Sequence, residues 1–216
     1  FFVRACQAEA DNMVTNLPGA VSSCDLPVMA LIWRIIDMNI VLTGFMGSGK
    51  STCGKMLADI TGMNFIDIDT LIEKKTGVTI SEIFTHYGEK RFRELESNVI
   101  EEVSNMDGCV IATGGGAVMS SRNMDNLRKN GKIIYLHISY DKAMERTKKN
   151  IETRPLIHKG KGIKKIYNDR QELYKKNDFE IDADKELPEV MKRLTEILEI
   201  LIHHSLNYPL QEKHFF

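Results

Sequence analysis

The segment Asn39 to Thr52, with the sequence NIVLTGFMGSGKST, gives the strongest indication of the fold of this chain. Its second part, Gly44 to Thr52, fills every fixed position of the phosphate-loop pattern G-x-x-x-x-G-K-[ST]. The apolar run before the pattern predicts a strand, and the segment Lys50 to Ile60 after it predicts a helix. That order of strand, loop and helix is the setting in which the pattern indicates a nucleoside triphosphate site.

The residue types in this loop explain how it would hold phosphate. Glycines let backbone N–H groups turn towards a phosphate, and the new helix points its positive end at the same place. Lys50 is expected to reach the β- and γ-phosphates, and Ser51 is expected to hold Mg²⁺. The alternative, a glycine-rich turn that merely enters a helix, is disfavoured because the flanking segments also fit. The loop residues expected to contact the nucleotide are Gly47, Ser48, Gly49, Lys50, Ser51 and Thr52.

Composition and charge limit the classes of function. The 216 residues suit one α/β domain with modest extensions, and 43% hydrophobic with 27% charged residues is ordinary for a globular protein. A formal net charge of −1 gives no global attraction to nucleic acid or to an anionic membrane. No apolar run reaches the ~18 residues of a membrane span. The 4 cysteines are scattered, which favours a reducing cytosol over a disulfide or metal framework. We therefore expect a cytoplasmic protein whose partners are small molecules.

The domain is expected to span residues 38–203. Residues 1–37 lack a clear period and contain Pro18-Gly19, so we expect an extension outside the native domain. Deleting it is expected to leave stability and activity nearly intact. Residues 204–216 are interpreted as a loose C-terminal tail.

Strand-like and helix-like segments alternate between these ends. Thr79 with Glu82 predicts a capping box at a helix start, and Gly88 is expected to end that helix. The alternation predicts an α/β fold of three layers, α/β/α, with a five-stranded parallel sheet whose ligands bind at the carboxyl ends of the strands. The predicted strands are Asn39 to Thr43, Asn64 to Ile66, Cys109 to Ala112, Ile133 to Ile138 and Phe179 to Ile181.

Two of these strands end in residues that suit catalysis or binding. Asp67 and Asp69 follow the second strand, spaced so that one can face a metal ion and the other an acceptor. Asp69 as a simple helix N-cap is about equally supported. Gly114 to Gly116 follow the third strand and permit close backbone approach by a ligand, with a flexible turn as the alternative.

Three arginines, Arg93, Arg154 and Arg170, supply the remaining charge. A guanidinium fork suits carboxylate or phosphate, so three of them around a pocket imply an anionic substrate. For Arg93 alone, pairing with Glu89 and Glu96 on a solvated helix face is the simpler interpretation.

The lysine-rich segment 148–165 contains Arg154 and two glycines, Gly160 and Gly162. One interpretation is a mobile lid that closes over the nucleotide phosphates and excludes water. The other is an ordinary basic surface loop, and charge alone does not decide between them.

Six motifs in register, across roughly Met38 to Ile202, resemble the shikimate kinase family. The resemblance implies ATP-dependent phosphorylation of the 3-hydroxyl of shikimate, with Mg²⁺, by a monomeric enzyme on the route to chorismate and the aromatic amino acids. The motifs are Gly44 to Thr52, Asp67 with Asp69, Phe92-Arg93 with Glu96, Gly114 to Gly116, Arg154-Pro155-Leu156, and Arg170 with Leu173-Tyr174.

The resemblance also assigns roles at the acceptor. Asp69 would hold ring hydroxyl groups of shikimate and assist the attacking one. Arg93 and Arg170 would clamp its carboxylate. Gly115 and Gly116 would contact it through the backbone.

At the nucleotide, the resemblance makes Asp67 a support for Mg²⁺ alongside Ser51. Lys50 and Arg154 would neutralise charge on the transferring phosphoryl group. Arg146 occupies the position of the arginine that stacks on adenine in the family.

The chain departs from the family pattern at Asp178, where Ala is frequent, and this bears on local packing. The predicted lid is also compact, because it ends near Gly162. Two alternative functions stay open. One is phosphorylation of another small acid or polyol, such as gluconate. The other is a catalytically silent nucleotide-binding module, against which the intact Lys50, Ser51 and Asp69 argue.

Overall fold

A five-stranded parallel sheet forms the centre of the computed structural model, which describes residues 38–148 and 162–206, with side chains as far as Ile202. The order across the sheet is β2-β3-β1-β4-β5, and every neighbouring pair is parallel. The predicted α/β fold and its parallel sheet are confirmed. The strands are β1 (Asn39–Thr43), β2 (Asn64–Asp67), β3 (Cys109–Ala112), β4 (Gly131–His137) and β5 (Phe179–Asp182).

Helices cover both faces of this sheet, since every residue of β1 and β3 is buried. The described helices are α1 (Lys50–Thr61), α2 (Ile68–Thr76), α3 (Ile80–Val103), α4 (Ser121–Lys129), α5 (Tyr140–Thr147), α6 (Ile163–Tyr174) and α7 (Leu187–Leu206). The last of these, α7, continues past residue 204, where the loose tail was predicted to begin. Within the described ranges, no helix is both long and apolar enough to cross a membrane.

The central strand, β1, pairs with β3 on one side and β4 on the other, which brings three strand ends together. Asn39, the first residue of β1, is held in place by two hydrogen bonds of its own side chain. The Asn39 Nδ2 donates to the carbonyl oxygen of Met106 at 2.7 Å, and Oδ1 accepts from the N–H of Cys109 at 2.9 Å. The predicted start of β4 at Ile133 is two residues late, because Gly131 already pairs with Asn39 across the sheet.

The start of α3 is the predicted capping box. Thr79 Oγ1 accepts from the N–H of Glu82 at 3.2 Å, and Glu82 Oε2 accepts from the N–H of Thr79 at 2.7 Å. The prediction that Gly88 ends the helix that starts at Thr79 is confirmed. Its φ of +76° and ψ of 172° are non-helical, and a second helical segment follows directly, so α3 consists of two helices that meet at a kink. The rings of Phe84 and Phe92, one from each segment, lie 4.8 Å apart across this kink.

Asp178, the position where the family pattern is broken, has a clear structural use. Its N–H donates to the carbonyl oxygen of Ile133 at 2.9 Å, and its Oδ2 accepts from the N–H of Ile133 at 2.8 Å. Both bonds attach the segment before β5 to the sheet, so the aspartate stabilises local packing rather than disturbing it.

Candidate functional site

A cavity of about 710 Å³ opens at the edge of the sheet where β1, β2 and β3 end. Its walls come from the phosphate loop, the segments after β2 and β3, α3, and the turn between β5 and α7. Arg154 and residues 149–161 of the predicted lid lie outside the described residues. The other predicted site residues all line this cavity: Gly47, Ser48, Gly49, Lys50, Ser51, Thr52, Asp67, Asp69, Arg93, Gly115, Gly116, Arg146 and Arg170.

The phosphate loop joins β1 directly to α1. Gly47 and Gly49 have φ values of +79° and +90°, which lie in the region that favours glycine. A Cβ at Gly47 would lie 3.1 Å from the carbonyl oxygen of Ala143 on α5, so the loop also packs tightly against that helix. The Lys50 ammonium donates to the carbonyl oxygen of Gly44 at 2.8 Å. This bond holds the positive charge against the loop backbone.

Ser51 and Asp67 meet beside the loop. The Ser51 hydroxyl donates to Asp67 Oδ2 at 2.5 Å, and Asp67 Oδ1 accepts from the N–H of Thr70 at 3.1 Å. Asp67 is therefore the N-cap of α2, and the interpretation of Asp69 as that cap is wrong, since Asp69 lies inside the first turn. One hydroxyl and one carboxylate oxygen suit Mg²⁺, which takes few protein ligands when phosphate and water supply the rest. Among the described residues, no three or more His, Cys, Asp or Glu side chains lie close enough together to hold a metal ion by themselves.

Two of the three glycines after β3, Gly114 and Gly116, lie against side chains that would have to move to admit a Cβ. A Cβ at Gly114 would lie 2.7 Å from Glu96 Oε1 and 2.9 Å from Asp69 Oδ1. A Cβ at Gly116 would collide with the Arg93 guanidinium. The flexible-turn interpretation does not explain these contacts, because two carboxylates and a guanidinium occupy the space that side chains would need.

Arg93 pairs with Glu89 and Glu96 and also faces the cavity, so both interpretations of this residue describe part of its environment. Its Nη1 lies 2.7 Å from Glu96 Oε2, and its Nη2 lies 3.2 Å from Glu89 Oε1, as helical spacing predicted. The arginine side chain is 25% exposed and faces the cavity, whereas the Glu96 side chain is 1% exposed. Pairing with glutamates therefore positions Arg93 in the site.

The two partners have different pKa shifts. Burial raises the pKa of Glu96, and the nearby Arg93 charge only partly offsets this effect. Burial lowers the pKa of Arg93, but the charges and hydrogen bonds of Glu96 and Glu89 outweigh it and raise the pKa overall. Burial dominates at Glu96 because its side chain is far less exposed than that of Arg93.

Arg170, on α6, approaches the glycines from the opposite side. It is 5% exposed, and its Nη1 donates to the carbonyl oxygen of Gly115 at 2.9 Å. The Tyr174 hydroxyl, one turn further along α6, donates to the same oxygen at 2.5 Å. Gly115 is thus fixed from α6, and the cavity also contains the guanidinium groups of Arg93 and Arg170 and the Asp69 carboxylate.

Arg146 lies at the other end of the cavity. Its Nη1 donates to the carbonyl oxygen of Ala183 at 2.8 Å, and its Nη2 donates to that of Lys185 at 3.3 Å. These bonds hold the guanidinium against the turn before α7, where Leu187 also lines the cavity. The arginine is placed beside the phosphate loop, since Nη1 is also 3.4 Å from the carbonyl oxygen of Gly47.

Several lining residues were not identified from sequence. Ile80 and Phe84 are four apart on α3, and this helical spacing is the one signal that could have grouped them. Glu73 accepts from the N–H of Ile80 at 2.8 Å and fixes the turn between α2 and α3. Tyr174, which contacts the lining residue Gly115, was noted within a motif but given no role. The lining residues of the turn before α7 and of its first position carry no recognisable pattern: Lys185, Glu186 and Leu187.

The chain is similar to shikimate kinases in both sequence and structure. A family model described as shikimate kinase matches residues 46–199. The shikimate kinase of Sulfurihydrogenibium sp. is 44% identical over 151 residues, which is 69% of this chain and 90% of that protein. The structure of shikimate kinase from Acinetobacter baumannii in complex with shikimate has a TM-score of 0.72 at 31% identity, covering 82% of this chain and 99% of that one. A gluconokinase from Sinorhizobium meliloti, at 17% identity and a TM-score of 0.52, shares the fold alone.

Proposed function

The chain belongs to the shikimate kinase family, and we propose that it transfers the γ-phosphoryl group of ATP to the 3-hydroxyl of shikimate, giving shikimate 3-phosphate and ADP. The observation that carries this proposal is that the phosphate loop and an acceptor region containing Arg93, Arg170 and Asp69 open into one cavity. The product lies on the route to chorismate and the aromatic amino acids. We propose that the enzyme is a monomer and that it works in the cytoplasm.

At the nucleotide, the loop N–H groups and Lys50 bind the β- and γ-phosphates, because the ammonium is already held against the loop backbone. Arg146 binds at the adenine end, supported by its fixed position beside the turn before α7. Ser51 and Asp67 are the residues that would hold Mg²⁺, since their oxygens lie 2.5 Å apart beside the loop. When bound, Mg²⁺ neutralises phosphate charge.

At the acceptor, Arg93 and Arg170 bind the carboxylate of shikimate, and the backbone of Gly115 and Gly116 completes the clamp. Asp69 orients the 3-hydroxyl and accepts its proton. The hydroxyl oxygen forms a bond to the γ-phosphorus as the bond from that phosphorus to the bridging oxygen of ADP breaks. Positive charge from Lys50 stabilises the transferring group. Arg154, outside the described residues, remains a predicted second source of that charge.

The test is a coupled ADP-release assay of the full chain with ATP and Mg²⁺, offering shikimate and gluconate in parallel. Release that depends on shikimate alone supports the proposal. Release with gluconate would keep a kinase but reassign the acceptor region. No acceptor-dependent release, with ATP still bound, would favour a silent nucleotide-binding module.

A further inference from the structure

Tyr174 makes a buried contact that none of the assigned roles uses. It is 1% exposed, and its ring stacks on that of Tyr135 with centroids 5.0 Å apart and planes 9° apart. Its hydroxyl donates to the carbonyl oxygen of Gly115 at 2.5 Å. Burial raises the pKa of Tyr174, so the hydroxyl keeps its proton and acts as a donor.

The carbonyl that Tyr174 contacts is shared with Arg170, whose Nη1 lies 2.9 Å away. Of the two donors, one is the neutral Tyr174 hydroxyl, which also hydrogen-bonds with the Arg170 side chain, and the other is a guanidinium that the acceptor carboxylate would also engage. If Arg170 were the sole side-chain donor, an incoming carboxylate would compete for it with the partly buried carbonyl of Gly115. Leaving that carbonyl without a donor is costly, so the competition would weaken acceptor binding.

The same contact orients a second group. The carbonyl of Gly115 and the N–H of Gly116 belong to one planar trans peptide, and they point in opposite directions. Donors on α6 therefore turn the Gly116 N–H away from α6. Gly116 lines the cavity and lies directly against Arg93, which approaches from α3. One peptide plane thus links the two arginines of the acceptor region.

We propose that Tyr174 is a positioning residue for the acceptor carboxylate: its hydroxyl holds the Gly115 carbonyl, which aims the Gly116 N–H and leaves Arg170 available to the substrate. This inference rests on the proposed function, because it concerns the same acceptor. The proposed role of Tyr174 does not involve the residues that bind the nucleotide. Its effect should therefore appear in acceptor binding and not in ATP binding.

Tyr135 provides a matched control. It is the other ring of the stack and is equally buried, but its hydroxyl donates to Gln171 Oε1 at 3.0 Å and not to Gly115. Tyr135→Phe and Tyr174→Phe each remove one buried hydroxyl while keeping the ring. A role limited to packing or stability would make the two variants behave alike.

The experiment measures kcat and both KM values for the wild type, Tyr174→Phe and Tyr135→Phe, with the shikimate Kd from calorimetry. We expect Tyr174→Phe to raise the KM and Kd for shikimate about tenfold, the loss of one buried hydrogen bond. Its KM for ATP should be unchanged, as should all constants of Tyr135→Phe. A KM does not depend on how much of the enzyme is active, so a partly unfolded preparation still gives a valid result.

Three outcomes would overturn the inference: an unchanged shikimate KM in Tyr174→Phe, an equal rise in both of its KM values, or the same rise in Tyr135→Phe. In each of these, wild-type turnover of shikimate would leave the proposed function intact. A wild type that does not turn over shikimate would remove both proposals together.

Discussion

The hydroxyl oxygen of Ser51 lies 2.5 Å from Oδ2 of Asp67, although 16 positions separate the two residues in the chain. Ser51 is in the first turn of α1, whereas Asp67 ends β2 and caps α2. The pair exists because β2 brings the end of its strand beside the phosphate loop. This contact connects the phosphate loop to the start of α2, the helix that carries Asp69.

Ser51→Ala is expected to raise the Mg²⁺ concentration that gives half-maximal rate by about tenfold or more, since a ligand of the ion is lost. Titrating activity with Mg²⁺ at saturating ATP and shikimate measures this. Ser121→Ala, at an exposed position that begins α4, is the control and should leave the titration unchanged. An identical Mg²⁺ requirement in Ser51→Ala would exclude the serine from the metal site.

Lys50→Ala is expected to lower kcat by at least about a hundredfold, because the charge held against the phosphate loop no longer stabilises the transferring group. Circular dichroism should show an unchanged fold. Lys55→Ala, exposed on the same helix, is the matched control. Unimpaired turnover in the first variant would exclude the phosphate-loop mechanism.

Arg93→Ala is expected to weaken shikimate binding by ~2–5 kcal/mol, because the substrate carboxylate and the buried Glu96 both lose a charged partner. Calorimetry with shikimate and with ATP separates the two sites. Arg91→Ala removes an arginine from the same helix, 54% exposed and paired with Glu94, and should change neither affinity. A loss of ATP affinity in Arg93→Ala would mean that Arg93 serves the nucleotide.

Asp69→Asn is expected to lower kcat by about a hundredfold or more, because the amide cannot accept the proton of the attacking hydroxyl. The KM for ATP should stay the same. Steady-state kinetics with both substrates gives the comparison, and Asp59→Asn, exposed on α1, serves as its control. A kcat equal to that of the wild type would remove Asp69 from the chemistry.

Glu96 should give the fold a defined pH dependence. A carboxyl group whose pKa is raised in the folded state stabilises the fold fully at pH below its unfolded pKa, and this stabilisation is lost as the pH rises through the folded pKa. Because burial raises the pKa of Glu96 from the ordinary value of 4.5, the loss lies above that pH.

Glu96→Gln removes this titration. Relative to the wild type, its free energy of unfolding should therefore increase as the pH rises from about 4.5 towards neutrality. Urea unfolding across that range measures the difference. A flat difference across that range would show that burial does not control this carboxyl.

Much of the fold follows from short stretches of sequence. The bounds of β1 and β3 agree with prediction because each strand is a continuous apolar run, and a buried parallel strand needs no other signal. The capping box of Thr79 and Glu82 was predictable because its two hydrogen bonds join residues three apart. The break at Gly88 was predictable as well, because glycine readily adopts the positive φ at which a helix ends.

Short stretches of sequence identify the phosphate loop and the parallel sheet, since each depends on neighbours within a few positions. That Asp67 rather than Asp69 caps α2 depends on where β2 ends. The folded chain alone shows that Arg93, paired with its helical glutamates, faces the same cavity as the phosphate loop. It alone also shows that the Gly115 carbonyl is shared by Arg170 and Tyr174, 55 and 59 positions away. These contacts depend on how the sheet orders its strands, and no local pattern of residues encodes the distance between two side chains so far apart in the chain.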